Sequence, residues 1–270
     1  MTITFIGAGN MAGSLIRGLL ASGTDPQTIT AADPSQQQLD GFTGMDITTT
    51  QDNAAAVADA DVVVLAIKPQ IIGSVLTQLP ALKSEQLVIS IVAGIDMASL
   101  QDWLPEHQPV VRCMPNTPAL LGAGITGLYA NAAVSSDQRA SAQQILNAVG
   151  SSVWVKEEHL LDAVTAVSGS GPAYYFLLME SMVTTAQALG LDADTSRQLV
   201  VETARGAALM ACEPDADPAT LRRNVTSPGG TTEAALNVMS EQSLPQTVDT
   251  ALRAAAARAK TLAKAFGSQA

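Results

Sequence analysis

The segment Val225-Thr226-Ser227-Pro228-Gly229-Gly230-Thr231-Thr232-Glu233-Ala234-Ala235-Leu236 groups hydroxyl side chains with two adjacent glycines. It leads into Ala235, Val238 and Met239, whose spacing is that of the apolar face of a helix opening near Gly230. The first N–H groups of a helix lack intrahelical partners and sit at the positive end of its dipole. The run from Gly229 to Thr232 therefore suits a small carboxylate, held without any arginine. A Ser227-Pro228 helix start that only caps is the alternative, and the rest of the chain decides between them.

At the other end, Thr2 to Ile6 reads as a buried strand running into Gly7-Ala8-Gly9-Asn10-Met11-Ala12 and a helical stretch from Gly13 to Ala21. This G-x-G-x-x-A unit between strand and helix is a dinucleotide signature. Gly7 makes the tight turn, Gly9 lets a pyrophosphate approach the backbone at Asn10 and Met11, and Ala12 keeps the helix close to the sheet. A second strand, Thr28 to Ala32, ends at Asp33, where the adenine ribose of a bound nucleotide is expected. Asp33 also suits the N-cap of a helix with Pro34 at its first position.

Apolar runs at Asp61 to Ile67, Leu87 to Val92 and Val110 to Met114 alternate with helical patterns, and Ser152 to Lys156 reads as a last strand. The pattern predicts an α/β fold, a Rossmann-type doubly wound parallel sheet covered on both faces. Ligands bind at the carboxyl ends of such strands, here Ala66-Ile67-Lys68-Pro69, Val92-Ala93 and Asn116 within Met114 to Pro118. Lys68 suits a phosphate or ribose, or is an exposed loop lysine. Asn116 offers a donor and an acceptor beside a nicotinamide, or makes a plain turn between prolines.

Beyond Glu158 to Leu161 long helical patterns replace the strands, which divides the chain into a nucleotide-binding domain, 1–159, and an all-α domain, 160–270. Tyr175, Leu178, Met179, Met182, Ala186 and Leu189 form one stripe and Phe176, Leu177 and Val183 cover other faces, so this helix must be buried. A domain of this size with few aromatics buries it most easily against a second copy, which predicts a helical dimerisation domain.

The 270 residues carry a net charge of −11, with 47% hydrophobic and 3% aromatic residues, so the core is aliphatic and a nucleic-acid partner is not expected. No apolar run has membrane-spanning length and no charged leader precedes the first strand, so a cytoplasmic protein is expected. Cys113 and Cys212 form no disulfide framework, no metal-ligand pattern is present, and neither His107 nor His159 is placed as a catalytic base.

Together these segments resemble the pyrroline-5-carboxylate reductase family along the whole chain. The matching pieces are Phe5 to Met11, Ala66 to Pro69, Met114 to Pro118, Ala166-Val167-Ser168-Gly169-Ser170-Gly171-Pro172-Ala173-Tyr174 and Ser227 to Thr232. The resemblance implies reduction of L-1-pyrroline-5-carboxylate to L-proline by NADPH or NADH, in a homodimer and often a ring of dimers. It implies that Ser227, Gly230, Thr231 and Thr232 hold the substrate carboxylate, that Thr232 reaches the ring nitrogen, and that Asn224 lies near the substrate. It places Asp33, Asn53, Val92, Ala93 and Glu158 around the cofactor. Val92 stands where alanine is common in the family, and Asp33 where Ser, Thr or Asn often sits. A substrate that enters protonated asks little of an acid–base residue, in accord with the scarcity of histidine. Hydroxyacid dehydrogenases of related architecture use a lysine in the helical domain, and Leu160 to Asp249 contains none. A non-enzymatic dinucleotide sensor would not need the Pro228 to Thr232 pocket.

Overall fold

The computed structural model of the protein describes residues 1–267. In chain order its strands are β1 (Ile3–Ile6), β2 (Ile29–Ala32), β3 (Thr48–Thr50), β4 (Val62–Leu65), β5 (Leu87–Ser90), β6 (Val110–Met114), β7 (Gly124–Ala130) and β8 (Gly150–Trp154). The helices among them are α1 (Asn10–Ala21), α2 (Gln36–Leu39), α3 (Asn53–Val57), α4 (Ile72–Gln78), α5 (Met97–Trp103) and α6 (Ser136–Asn147). The chain continues through α7 (Leu160–Val164), α8 (Gly171–Ala188), α9 (Ala193–Ala211), α10 (Pro218–Asn224), α11 (Thr231–Glu241) and α12 (Leu244–Gly267). Two compact units result: Met1–Ser170 with the chain from Ala254 onward, and Gly171–Arg253.

The first unit is built on an eight-stranded sheet of order β3-β2-β1-β4-β5-β6-β7-β8. It is parallel except where β6 meets β7 antiparallel, so the all-parallel expectation is corrected at that edge. Strand order reverses beside β1, which has β2 on one side and β4 on the other. That makes the carboxyl ends of β1 and β4 the switch point where a nucleotide crevice forms in such sheets. Side chains alternate between faces. Ile3 and Phe5 join Leu15, Ile16, Ile89 and Leu128 in one core, and Ile6 joins Val63, Leu65, Ile72 and Leu100 in the other. Thr4, also buried, gives its hydroxyl to the Ala56 carbonyl at 2.8 Å, which removes the cost of a polar atom in this layer.

Two strands are absent from the sequence reading for physical reasons. β3 is three threonines at the sheet edge with no apolar alternation. β7 carries Gly124 and Gly127, which weaken a strand signal. Packing demands both: a Cβ at Gly124 would stand 2.9 Å from Ala119 and one at Gly127 2.6 Å from a Val164 methyl.

Between α7 and α8 the chain makes a π-helical turn, Thr165–Gly169, closed by the Ser170 N–H on the Thr165 carbonyl at 2.8 Å. Pro172 has no N–H to offer the Ser168 carbonyl four residues earlier. That carbonyl instead accepts from Asn116 Nδ2 at 3.1 Å, while Asn116 Oδ1 accepts from the Ile125 N–H at 2.9 Å. Asn116 is 8% exposed, so its amide acts as a splice between the β6 exit, β7 and the π turn.

In the second unit α8 packs on α9. Asp192 caps α9 by accepting from the Thr195 N–H at 2.8 Å, and Asp217 caps α10 by accepting from the Thr220 N–H at 2.9 Å. These hydrogen bonds hold both carboxyls below the usual range. In the single chain the expected burial of α8 is not reached: Phe176 is 63% and Leu177 64% exposed. Among the described residues no helix is long and apolar enough to cross a membrane.

The splice yields a test. Asn116→Ala strands two backbone groups, the Ile125 N–H and the Ser168 carbonyl, and costs about 2–4 kcal/mol of stability. Urea unfolding monitored by circular dichroism measures it, and a change under about 0.5 kcal/mol would remove the splice from the account.

Candidate active site

The glycine-rich turn leaves β1 at Gly7, whose φ is +99°. The positive φ is one reason for glycine here. The other is space, since a Cβ would lie 2.5 Å from the Ala66 carbonyl oxygen and 2.9 Å from an Ile67 methyl. The Gly7 N–H donates to the Ala32 carbonyl at 2.7 Å, and Ala66 N–H to the Ile6 carbonyl at 2.8 Å, so the turn is tied to both neighbouring strands. Gly9 differs. It precedes α1 with φ −73°, nothing lies within 4 Å of where its Cβ would be, and no side chain caps the helix. The amides at Asn10 and Met11 therefore open onto free space at the positive end of a twelve-residue helix, the geometry that binds a pyrophosphate.

Asp33 follows β2, and its carboxylate holds backbone on two sides. One oxygen accepts from the Ala8 N–H and the other from the Ser35 N–H, both at 2.9 Å. It is not the N-cap of a helix opening at Pro34: α2 begins at Gln36 after Ser35, because Asp33 makes its own turn over Pro34. Asp52 caps α3 by accepting from Ala54 and Ala55, leaving Asn53 at the first helical position. Asn53 Oδ1 is buried, with no hydrogen-bond partner among the described residues. A buried acceptor without a donor is costly unless a ligand supplies one. That orphaned atom and the space over Gly9 fit a dinucleotide.

Ala66, Ile67, Lys68 and Pro69 leave the carboxyl end of β4. Lys68 is exposed, with no ion-pair partner among the described residues. Val92 and Ala93 leave β5, Val92 being buried and Ala93 exposed. Beside them a cavity of about 110 Å3 is lined by Pro69, Val92, Ala93 and Gly94, by Arg112, Cys113 and Met114 of β6, by Leu161, Asp162 and Thr165, and by Ala259 and Leu262 of α12. Burial pushes the Cys113 thiol far up, so it offers no thiolate. Arg112 Nη1 donates to Glu158 Oε1 at 2.6 Å. Arg112 and Asp162 are absent from the sequence reading. The signal for Arg112 was present, a lone charge in the strand Val110-Val111-Arg112-Cys113-Met114.

In the second unit Asn224 ends α10 and α11 begins at Thr231 behind Gly230, whose backbone is extended and which offers no capping side chain. Gly229 takes φ +69°, which turns the chain into the helix. Two of the four amides from Gly229 to Thr232 are committed within the chain: Gly229 N–H donates to Glu233 Oε2 at 2.7 Å and Gly230 N–H to the Ser227 carbonyl at 3.0 Å. The donors left open are the amides of Thr231 and Thr232. The hydroxyls of Ser227, Thr231 and Thr232 and the amide of Asn224 also have no recorded partner among the described residues. Both glycines thus shape the turn while the threonines present its donors. Among the described residues no group of His, Cys, Asp and Glu could hold a metal ion.

Comparison with known proteins agrees with both halves. A family model for pyrroline-5-carboxylate reductase dimerisation matches residues 158–262, and one for NADP oxidoreductase, coenzyme F420-dependent, matches residues 2–94. The pyrroline-5-carboxylate reductase of Pseudomonas aeruginosa is 53% identical over 267 residues, covering 98% of each chain. Among solved structures, that of Coxiella burnetii pyrroline-5-carboxylate reductase superposes with a TM-score of 0.90 at 42% identity, covering 97% of this chain and 98% of the other. The Plasmodium falciparum pyrroline carboxylate reductase with NADP bound gives 0.85 at 30% identity, over 97% and 98% of the chains. With its glycine turn, its threonine-headed helix and a relative of this identity along its whole length, the chain belongs to the pyrroline-5-carboxylate reductase family.

Proposed function

We propose that this chain reduces L-1-pyrroline-5-carboxylate to L-proline with NADPH or NADH, the last step of proline biosynthesis. The observation that carries the reading is the 53% identity to the Pseudomonas aeruginosa reductase over 98% of both chains. The geometry supports a role for each candidate residue. Gly7, Gly9, Asn10 and Met11 cradle the pyrophosphate, Asp33 and Asn53 meet the adenosine end, and Lys68 supplies a cation. Ala66, Ile67, Pro69, Val92 and Ala93 make the floor and wall toward the nicotinamide, supported by Asn116 and Glu158. Ser227, Thr231 and Thr232 hold the substrate carboxylate, Gly229 and Gly230 give the close backbone approach, and Asn224 orients the substrate.

When bound, the reduced nicotinamide supplies the hydride. The chain's own work is positioning, because a cyclic imine that arrives protonated needs no general acid. Thr232 holds the ring nitrogen through its hydroxyl and is the residue to which a catalytic role is assigned. The same proposal includes the functional boundary near residues 159–160, beside the start of the dimerisation match at 158. It also includes a homodimer covering the exposed face of α8, a ring of such dimers, and a reducing cytoplasmic setting that suits free Cys113 and Cys212.

Asp33 bears on cofactor choice. A carboxylate after the second strand accepts from a ribose hydroxyl and repels a 2′-phosphate, and no Arg or Lys lies between Ala31 and Asp52. Both oxygens already receive backbone donors, which leaves part of the charge to act outward. Both nucleotides are therefore used, with NADPH carrying the electrostatic cost.

Three expectations follow from these roles. Thr232→Ala lowers kcat/KM by roughly one to two orders of magnitude, the equivalent of about 1–3 kcal/mol, while cofactor affinity stays put; steady-state kinetics beside a cofactor titration separates the two, and unchanged kinetics in a folded variant would displace the site. The glycines should part company: Gly7→Ala loses stability by about 2–4 kcal/mol through strain and overlap, whereas Gly9→Ala melts like the parent and fails to bind dinucleotide. Equal behaviour of the two in melting and binding would contradict the turn geometry. Asp33→Ser raises the NADPH-to-NADH ratio of kcat/KM about three- to tenfold and weakens both cofactors by loosening the Ala8 amide; an unchanged ratio would confine Asp33 to its structural bonds.

A further inference from the structure

Arg112 is the one charged residue of β6, and its side chain is 11% exposed. A guanidinium so far out of water is unfavourable unless paired and hydrogen-bonded. Its partner is Glu158 Oε1, at 2.6 Å. The same oxygen accepts from the Met97 N–H at 2.7 Å. Met97 opens α5, three residues beyond Gly94 in the turn that leaves β5. One carboxylate oxygen therefore fastens together β6, the β5–α5 turn and the approach to α7. Val92, Ala93 and Gly94 of that turn line the cavity at the strand ends, as do Arg112 and Asp162.

The charges are arranged around a second carboxylate. Burial raises the Asp162 pKa; Arg112 on β6 and Lys260 on α12 pull it down, Glu158 pushes it up, and His159 beside α7 draws it down slightly. Arg112 thus faces two carboxylates at once, bonded to one and acting through space on the other.

We propose that Arg112 is a positioning residue for the nucleotide's reactive end: bonded to Glu158 and lining the same cavity as Asp162, it sets the shape of the Val92–Met97 turn. The proposal rests on the cofactor reading for Pro69, Val92 and Ala93. It goes beyond that reading in assigning work to two residues, Arg112 and Asp162, that need not touch the cofactor.

The Asp162 carboxyl reports the charges placed around it, and nucleotide affinity reports whether that arrangement positions the cofactor. In Arg112→Met the cation that lowers the Asp162 pKa is gone, so Asp162 takes up its proton at higher pH than in the parent. In Glu158→Gln the acceptor for the Met97 N–H remains and the repelling charge is gone, so Asp162 titrates at lower pH. General damage to packing does not move one group in opposite directions.

The test follows the Asp162 carboxyl carbon by NMR across the acid-to-neutral range, assigned with Asp162→Asn, and the dissociation constants of NADPH and NADH by fluorescence, in full-length protein. Arg112→Met should weaken nucleotide binding about tenfold and raise the Asp162 midpoint; Arg112→Lys should recover most of the affinity; Glu158→Gln should lower the midpoint. The proposal is overturned by parental nucleotide affinity in folded Arg112→Met, or by midpoints that do not move apart. If Arg112→Met does not fold, Arg112→Lys and Glu158→Gln carry the test: retained affinity in the first with a lowered midpoint in the second supports the proposal, and an unmoved midpoint overturns it. A parent protein that binds neither nucleotide refutes the cofactor reading, and the midpoints then still report whether Arg112 controls Asp162.

Discussion

No side chain fits at residue 7, and the first unit is organised around that fact. The backbone of β1 turns at φ +99° within van der Waals reach of Ala66, so the exits of β1 and β4 meet at the point where strand order reverses. With the turn drawn in, the Gly7 N–H reaches the Ala32 carbonyl and the Ala8 N–H reaches the Asp33 carboxylate. The chain then has only Gly9 to cross before α1 begins, and nothing but open space lies above it. A crevice that presents bare helix amides exists because two neighbouring strands were allowed to touch.

A related constraint governs the ends of several helices. Where the backbone leaves regular hydrogen bonding to make room for a ligand, another group must take up what it drops. Pro172 withholds an N–H from the Ser168 carbonyl, and Asn116 takes its place. At α11 the side chain of Glu233 reaches back to the Gly229 N–H, and the Ser227 carbonyl takes the Gly230 N–H. The amides of Thr231 and Thr232 are left open. In each case the compensation selects which polar groups stay open. The same logic makes the orphaned Asn53 Oδ1 informative, since nothing within the described chain compensates it.

Much of this was legible in the residues. The strands with continuous Val and Ile runs, the glycine turn and the helix start at Thr231 all announce themselves through local pattern. β3 and β7 do not, because one is an edge strand of three threonines and the other takes glycines where Ala119 and Val164 press against it. The committed amides of Gly229 and Gly230 were equally out of reach, since they depend on where Glu233 and Ser227 turn. Asn116 read as a nicotinamide contact or a turn residue, and its bonds to Ile125 and Ser168 join positions 9 and 52 residues away. The Arg112–Glu158 pair spans 46 residues and belongs to the same class. Long-range partners are set by tertiary packing, and no local period encodes them.

The central claim is that an anion-holding threonine turn and a dinucleotide crevice serve one reaction, the reduction of a cyclic imino acid. The most direct measurement mixes the purified protein with NADPH or NADH and pyrroline-5-carboxylate, follows the loss of reduced-nicotinamide absorbance and assays the product by chromatography. The account predicts that nicotinamide is oxidised only when the imine is present, with L-proline formed in equal amount. Tight binding of the nucleotide without proline formation would contradict it and mark the chain as a dinucleotide-binding protein of another kind.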